Sequence, residues 1–539
     1  MIHLPKRRQS LHLLTPAVLL VVCGRLSGAQ DAVCQLGQQG PGCSSPFTQK
    51  RAHHWPRARG HVGSYGVTNL TGPSDLSNRW YTWFPGQTRL HQVTICGPLI
   101  DDALNLYVTT VTSIHKLSSS GNKIWEYPSS TGLFADCPSL MNGVLLSNDM
   151  GGHAFALEID TGRELWKRKH TDGNSGDTGY VENHDGIIVY EAEPGSTSVI
   201  AVNATSGELL WTFRPDVPCW NLMAIFPMDG TVVFQDHDAK VYRLNLYTGQ
   251  LIWKNGGNHV PGMVSWSDGG LMLGPNGVVY AVSAKSQAIG HHPKGGGGIH
   301  AYRLEDGSLL WEKHLLRPFF TWPVIGKLAG RTDLSVIAAI GANAYFPWKQ
   351  VLRDNMGPQG QGALTALAFA ADGGLEHVTI KGLASLMIQL PGALLNVLRY
   401  MYGWIPQIPI SPKFEAEIYA YDAGTGAQQW EYKLPDWPYI SAAGDSEGFF
   451  LRSVFYPARG TCLPAAYNAP TIDGNGVVYI GYHDGRLYAL QDTNRDGTVA
   501  GPQEVSSFDT GAAFLHSGTA FAPGLMGVVS CDSLHVWRT

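Results

Sequence analysis

With 539 residues, 15% of them charged and a formal net charge of −5, the chain can hold one large domain or several ordinary ones, and it lacks the basic footprint of a nucleic-acid binder. Its 64 glycines and 16 tryptophans point to many tight turns and many aromatic anchors. The two basic runs, Lys6-Arg7-Arg8 and Lys50-Arg51 with Arg57 and Arg59, both lie in the N-terminal region.

The first 29 residues have the grammar of a secretory signal: the basic trio, an apolar stretch from Leu11 to Cys23, then Ser27-Gly28-Ala29. The apolar run, about 13 residues, is too short for a membrane span, which needs about 20. Cleavage after Ala29 leaves seven cysteines, so at least one stays unpaired; Cys34 and Cys43 are the expected local disulfide. Sequons at Asn69 and Asn203 are expected glycosylation sites in a eukaryotic secretory route; a bacterial chain would be periplasmic. Residues 30–74 are rich in Gly, Pro and Gln without periodicity and read as an irregular leader that packs only in part.

The ordered domain, 75–539, opens with the strand-like Arg79–Pro85, RWYTWFP, which has no preceding partners. A repeat follows at a spacing of roughly 42 residues. Its copies are KLSSSGNKIW, ALEIDTGRELW, AVNATSGELLW, RLNLYTGQLIW, AYRLEDGSLLW and AYDAGTGAQQW, ending at Trp125, Trp166, Trp211, Trp253, Trp311 and Trp430. In each, an alternating apolar run reads as a strand, and a glycine four residues before the tryptophan (Gly121, Gly162, Gly207, Gly249, Gly307, Gly426) supplies a tight turn. The tryptophan carries a large apolar area and one N–H, suiting a ring wedged between neighbouring sheets with its nitrogen on a carbonyl. Two strands cannot bury such a ring alone, so the units must be arrayed around an axis as a β-propeller.

The pattern A-x-D-x-x-T-G-x-x-x-W resembles the tryptophan-docking repeat of the pyrroloquinoline-quinone (PQQ) quinoprotein propellers and of their scaffold relatives, the outer-membrane assembly lipoproteins. The resemblance implies an all-β, quinoprotein-like propeller. Six tryptophan copies, a worn blade near Phe508 and a closing blade make eight. That last blade joins Arg79–Pro85 to the C-terminal strands around Met526–Cys531 and Leu534–Trp537, which removes open sheet edges. Trp311 to Trp430 is too long for one blade and reads as an insertion near 364–413, partly helical; a ninth blade ending near His377 is the alternative. Within it, 383–405 carries Arg399 as its one charge and is either a buried cover or a surface touching lipid or a partner; the cover is preferred.

Candidate chemistry is sparse. Asp492, Asn494, Asp496 and Thr498 repeat the spacing of an EF-hand-type calcium loop, yet position 12 is Gln503 and Glu504 stands one residue late. These residues with Glu504 would hold a structural Ca²⁺, or else form an Asx-rich turn. The His-Asp pairs at 184–185, 237–238 and 483–484 read as hairpin turns. Quinoprotein alcohol dehydrogenases use a vicinal cysteine pair, and their haem tails a C-x-x-C-H; the chain has neither, nor a Gly-x-Ser-x-Gly elbow. The expectation is a secreted, monomeric binding or scaffold module for a protein or glycan ligand, with no catalytic set. The alternative is a PQQ- or metal-dependent oxidoreductase acting on alcohols or sugars.

Overall fold

The computed structural model describes residues 45–85, 93–134, 136–173, 179–219, 221–257, 264–266, 270–286, 296–341, 413–439, 442–444 and 467–539. The expected signal, the Cys34–Cys43 pair, the 364–413 insertion, its 383–405 stretch and the candidate ninth blade lie outside them, apart from Lys413 at the insertion's end. Pro46–Thr539 forms one compact unit, distinct from Met1–Ser45. Its described residues contain no helix.

Eight antiparallel sheets follow one another along the chain. Blade 1 runs from Thr94–Ile100 to Lys123–Pro128, blade 2 from Ser139–Met141 to Glu164–Lys169, and blade 3 from Glu182–His184 to Leu209–Phe213. Blade 4 spans Thr231–Gln235 to Leu251–Gly256, with Ile225 bridging Val233 in place of a regular first strand. Blade 5 ends at Leu309–Leu315, blade 6 runs from Val324–Lys327 to Gln428–Lys433, and blade 7 from Thr471–Ile472 to Val505–Asp509. In blade 6 the stretch between Leu334–Gly341 and Ala416–Asp422, where the insertion falls, separates two paired middle strands. Blade 8 takes three strands from the C-terminus and its fourth, Arg79–Trp83, from the N-terminal side, paired to Leu534–Trp537. That closure leaves the ring no free seam.

The repeat's residues explain how blades lock. Trp125 Nε1 donates to Ile159 O of the next blade at 2.9 Å, Trp166 to Ala204 O at 3.0 Å, Trp211 to Leu246 O at 2.7 Å, Trp253 to Leu304 O at 3.0 Å and Trp311 to Ala423 O at 3.1 Å. Each ring lies over the turn glycine of the following blade. At Gly249, with φ +69°, an added Cβ would come within 2.7 Å of Trp211 Cδ2; Gly162, Gly207, Gly307 and Gly426 meet Trp125, Trp166, Trp253 and Trp311 in the same way. The glycine therefore serves its own hairpin and its neighbour's ring at once. Opposite four of the tryptophans the cross-strand residue is alanine (Ala156, Ala201, Ala301, Ala420), and a bulge follows directly. Tyr81 fills the slot over Gly121 where blade 8 meets blade 1. Trp537 Nε1 donates to Leu76 O. Trp430 is buried, and blade 7's 492–504 loop lies on its strand, with Val499 N donating to Glu431 O and Glu431 N to Gly497 O.

Candidate functional site

Of the leader expected at 30–74 and of the residues after it, 46–78 pack against several blades. Trp55 exchanges both backbone hydrogen bonds with Ile100 of blade 1, and Leu140 N of blade 2 donates to Pro56 O. Arg57 reaches Asn183 and Glu182 of blade 3. Tyr65 OH accepts from Phe226 N beside blade 4, and Thr68 N and Ile472 N tie the strand end of blade 7 to the leader. A two-residue hairpin, Gly60–His61 with Ser64–Tyr65, turns the segment between these contacts. Trp55, Arg59, Tyr65 and Leu76 are all buried. The physical reason is that the first strands of blades 1, 2 and 7 have an edge with no other strand on it, and a leader without periodicity of its own can bond to those edges.

Arg59 is fully buried, at 0% exposure. Its guanidinium donates to Pro470 O at 2.7 Å and Pro323 O at 3.4 Å, stapling the leader to the residues that enter blades 7 and 6. Burial pulls its pKa down to about 10. Near it stand Tyr180, Trp322 and His516, each a few residues ahead of the first strand of blades 3, 6 and 8. Tyr180 meets Trp322 edge-on with centroids 5.1 Å apart, and Trp322 meets His516 at 5.0 Å. The disulfide Cys96–Cys137 joins the first strand of blade 1 to the entrance of blade 2, and Cys137 Sγ lies 3.7 Å from Ser517 Oγ. Cys531 is also disulfide-bonded. Cys219 is free and buried, with its thiol pushed well above the usual range by burial.

Glu182 is a buried carboxyl beside the leader. Its Oε2 is 3.1 Å from Arg57 Nε. Burial nevertheless holds its pKa up at about 7, with the Arg57 charge opposing. A carboxyl whose folded pKa exceeds its unfolded value of 4.5 binds its proton more tightly in the native state. Its contribution is therefore intact below pH 4.5 and lost as pH rises through 7, about 3 kcal/mol in all. Melting temperature should fall over that window, and the fall should be shallower in Glu182→Gln; identical slopes in the two proteins would remove Glu182 from the account.

The calcium-loop residues are brought together but are committed to one another. Glu504 Oε1 accepts from Thr493 N, Thr493 Oγ1 and Asn494 N, and Oε2 from Ala500 N, which lowers its pKa. Asn494 Oδ1 accepts from Asp496 N, and Asp496 Oδ1 from Thr498 N. Asp492 pairs with Arg331 at 3.1 Å. A Ca²⁺ here would have to displace Arg331 and the donors on Glu504, while Asp492 Oδ1 is buried without a hydrogen-bond partner. Asp492→Ala should lower the melting temperature equally with Ca²⁺ and with chelator; a loss seen only with Ca²⁺ would establish a bound ion.

The His-Asp pairs divide by residue. Asp484 of the third pair and Asp236, the residue just before the second, close hairpin turns, Asp236 accepting from Asp238 N, Lys240 N and Tyr242 OH, and Asp484 from Arg486 N and Tyr488 OH. His483 is fully buried among Phe414, Trp437 and Tyr482, and burial lowers its pKa to about 3. The Asp-to-Tyr link recurs at Asp101–Tyr107 and Asp473–Tyr479, a second repeat signal in the sequence that the tryptophan pattern overshadowed. Of the sequons, Asn69 is exposed. Asn203 is half-buried, and its Oδ1 accepts from Thr205 N and Ser206 N to hold the blade 3 turn.

Residues 110–261, which carry Trp125, Trp166, Trp211 and Trp253, match the family described as outer membrane protein assembly factor BamB. The chain is a β-propeller whose residues 110–261 carry a PQQ-type repeat. The propeller is 24% identical over 219 residues to tetrathionate hydrolase of Acidithiobacillus ferrooxidans, covering 38% of this chain and 40% of that protein's length. It superposes on quinohemoprotein alcohol dehydrogenase from Comamonas testosteroni with a TM-score of 0.52 at 12% identity, over 90% of this chain and 80% of that one. A europium-containing methanol dehydrogenase gives 0.52 at 12% identity, over 89% and 90%. At such identities the two superpositions speak for the ring alone.

Proposed function

We propose that this propeller is a secreted binding or scaffold module for a protein or glycan ligand, with no role for a quinone. The observation that carries the reading is the leader: residues 46–78 pair their backbone with the first strands of blades 1, 2 and 7, and Arg59 is buried in the interior. The surface left for a partner is the outside. There the outer strands of three successive blades expose apolar pairs, Leu209-Leu210 in blade 3, Leu251-Ile252 in blade 4 and Leu309-Leu310 in blade 5. In register, blade 2 has Glu164 and blade 6 has Gln428. An outer strand offers a backbone edge as well as these side chains, the combination by which an extended protein segment adds to a sheet.

Cofactor loading tests the reading. The purified protein, incubated with PQQ and Ca²⁺ and then gel-filtered, should retain no quinone absorption band and should not reduce an artificial electron acceptor with alcohols or sugars. A retained band together with acceptor reduction would overturn the scaffold assignment in favour of the oxidoreductase.

A further inference from the structure

The outermost strand of a blade is a sheet edge, and folded proteins keep such edges from pairing with other chains by placing charge on them or by covering them. Seven of the eight outer strands carry at least one Lys, Arg, Asp or Glu, as with Lys167 in blade 2, Lys254 in blade 4 and Glu312 with Lys313 in blade 5. Blade 6 is covered as well, because Glu431 bonds the backbone of Gly497 and Val499. Blade 3 is the exception. Its outer strand, Leu209–Phe213, holds no charged residue, and among the described residues no other strand pairs with its outer edge. Leu209 is 47% and Leu210 43% exposed. The bulge beside Trp211 recurs in every blade of the tryptophan repeat and does not set this one apart.

The charges of this strand stand at its two ends. Glu208 and Arg214, both exposed, lie at equal distances along the chain on either side of Trp211. When two identical strands pair antiparallel about a two-fold axis, one residue meets itself and its neighbours meet in mirrored order. With Trp211 on the axis, Leu209 faces Phe213 of the second copy, Leu210 faces Thr212 and Glu208 faces Arg214, each pair occurring twice. Opposite charges and aliphatic–aromatic pairs are the cross-strand combinations that stabilise a sheet. Neither neighbouring apolar edge matches itself in this way: about Trp253, Ile252 meets Lys254, and about Trp311, Leu309 meets Lys313 and Leu310 meets Glu312. Arg214 is 67% exposed and bonds Glu193 through Nη2 at 2.9 Å, which leaves its other N–H groups open to a second carboxylate.

We propose that the outer strand of blade 3 pairs antiparallel with the same strand of a second copy of this chain, making a two-fold dimer in place of the monomer expected from the sequence. Two blades then form one continuous sheet, with an apolar centre bracketed by two Glu208–Arg214 ion pairs. The dimer takes one of the three apolar edges, leaves those of blades 4 and 5 to another partner, and does not depend on the scaffold reading.

Sedimentation equilibrium of the full chain, over a dilution series starting at about 0.1 mM, tests this. The wild type should be dimeric at the top of the series and dissociate on dilution. Leu209→Lys, which gives blade 3 the charge that every other outer strand has, should leave a monomer, whereas Leu309→Lys, the same change in blade 5, should leave the dimer intact. Both positions are exposed, so neither substitution empties the core. Glu208→Arg and Arg214→Glu should each weaken the dimer about tenfold, since each sets like charges opposite one another twice, and the double variant should return to the wild-type dissociation constant. A chain that is monomeric throughout the series overturns the proposal and leaves the edge to an extended segment of another protein. A dimer that Leu209→Lys does not disturb, or a double variant no tighter than the single ones, overturns it equally.

Discussion

Deleting residues 46–78 should remove most or all of the propeller's stability. Trp55, Tyr65 and Leu76 are buried in the ring, and full burial of three such side chains contributes roughly 5–9 kcal/mol. That approaches the whole stability of an ordinary domain, about 5–15 kcal/mol. Polar losses act in the same direction. Without Arg57 the carboxyl of Glu182 stays buried with no cation, and without the leader backbone the edge groups of Ile100 and Ile472 lose their partners. A chain starting at Arg79 retains every strand of the eight blades, so strand content alone predicts a folded product. The expected result is a protein that is aggregated or lacks a cooperative unfolding transition, judged by gel filtration and by circular dichroism on heating. A soluble ring melting within a few degrees of the full chain would show that the leader only decorates the propeller.

The contrast between leader and blades shows what the sequence could carry. A docking unit is local: the turn glycine and the tryptophan are four residues apart, and both constraints, positive φ and ring burial, fall on residue types that stand out. The closing blade was legible for a related reason, since Arg79–Trp83 lacks preceding strands and the C-terminal strands lack a final one. The leader's constraints are not local. Arg59 bonds a carbonyl 411 residues away and Trp537 one 461 residues away, and the leader's own strands are two residues long, too short to imprint a period. Glycine and proline, which composition reads as loop, are there the residues that let a backbone turn and press against sheet edges. The Asp492 loop shows a different ambiguity. Oxygen-bearing side chains at alternate positions serve a cation and a chain of Asx turns equally well, and only the donors around Glu504 and the Arg331 contact distinguish the two. The interior cluster had no sequence signal at all, because Tyr180, Trp322 and His516 come from three blades at positions the repeat does not constrain.

Trp211→Ala should lower stability by about 3–5 kcal/mol, because it empties the largest side chain between blades 3 and 4 and leaves Leu246 O without its 2.7 Å donor. Gly249→Ala attacks the same joint from the other side. Its backbone sits at φ +69°, which costs about 1–3 kcal/mol for a residue with a Cβ. The new methyl would also meet Trp211 Cδ2 at 2.7 Å and Cγ at 2.8 Å, adding about 1–3 kcal/mol of overpacking. These two contributions can be separated. In the Trp211→Ala background the ring is gone, so Gly249→Ala should retain only the backbone part, and the double mutant should be less destabilised than the sum of the single losses. Denaturant midpoints of the four proteins give that coupling directly. Strict additivity would mean that the glycine serves its own hairpin alone; a positive coupling means that each repeat places its glycine for the tryptophan of the blade before it, and that the spacing of the repeat records a contact between neighbours as well as a turn within one.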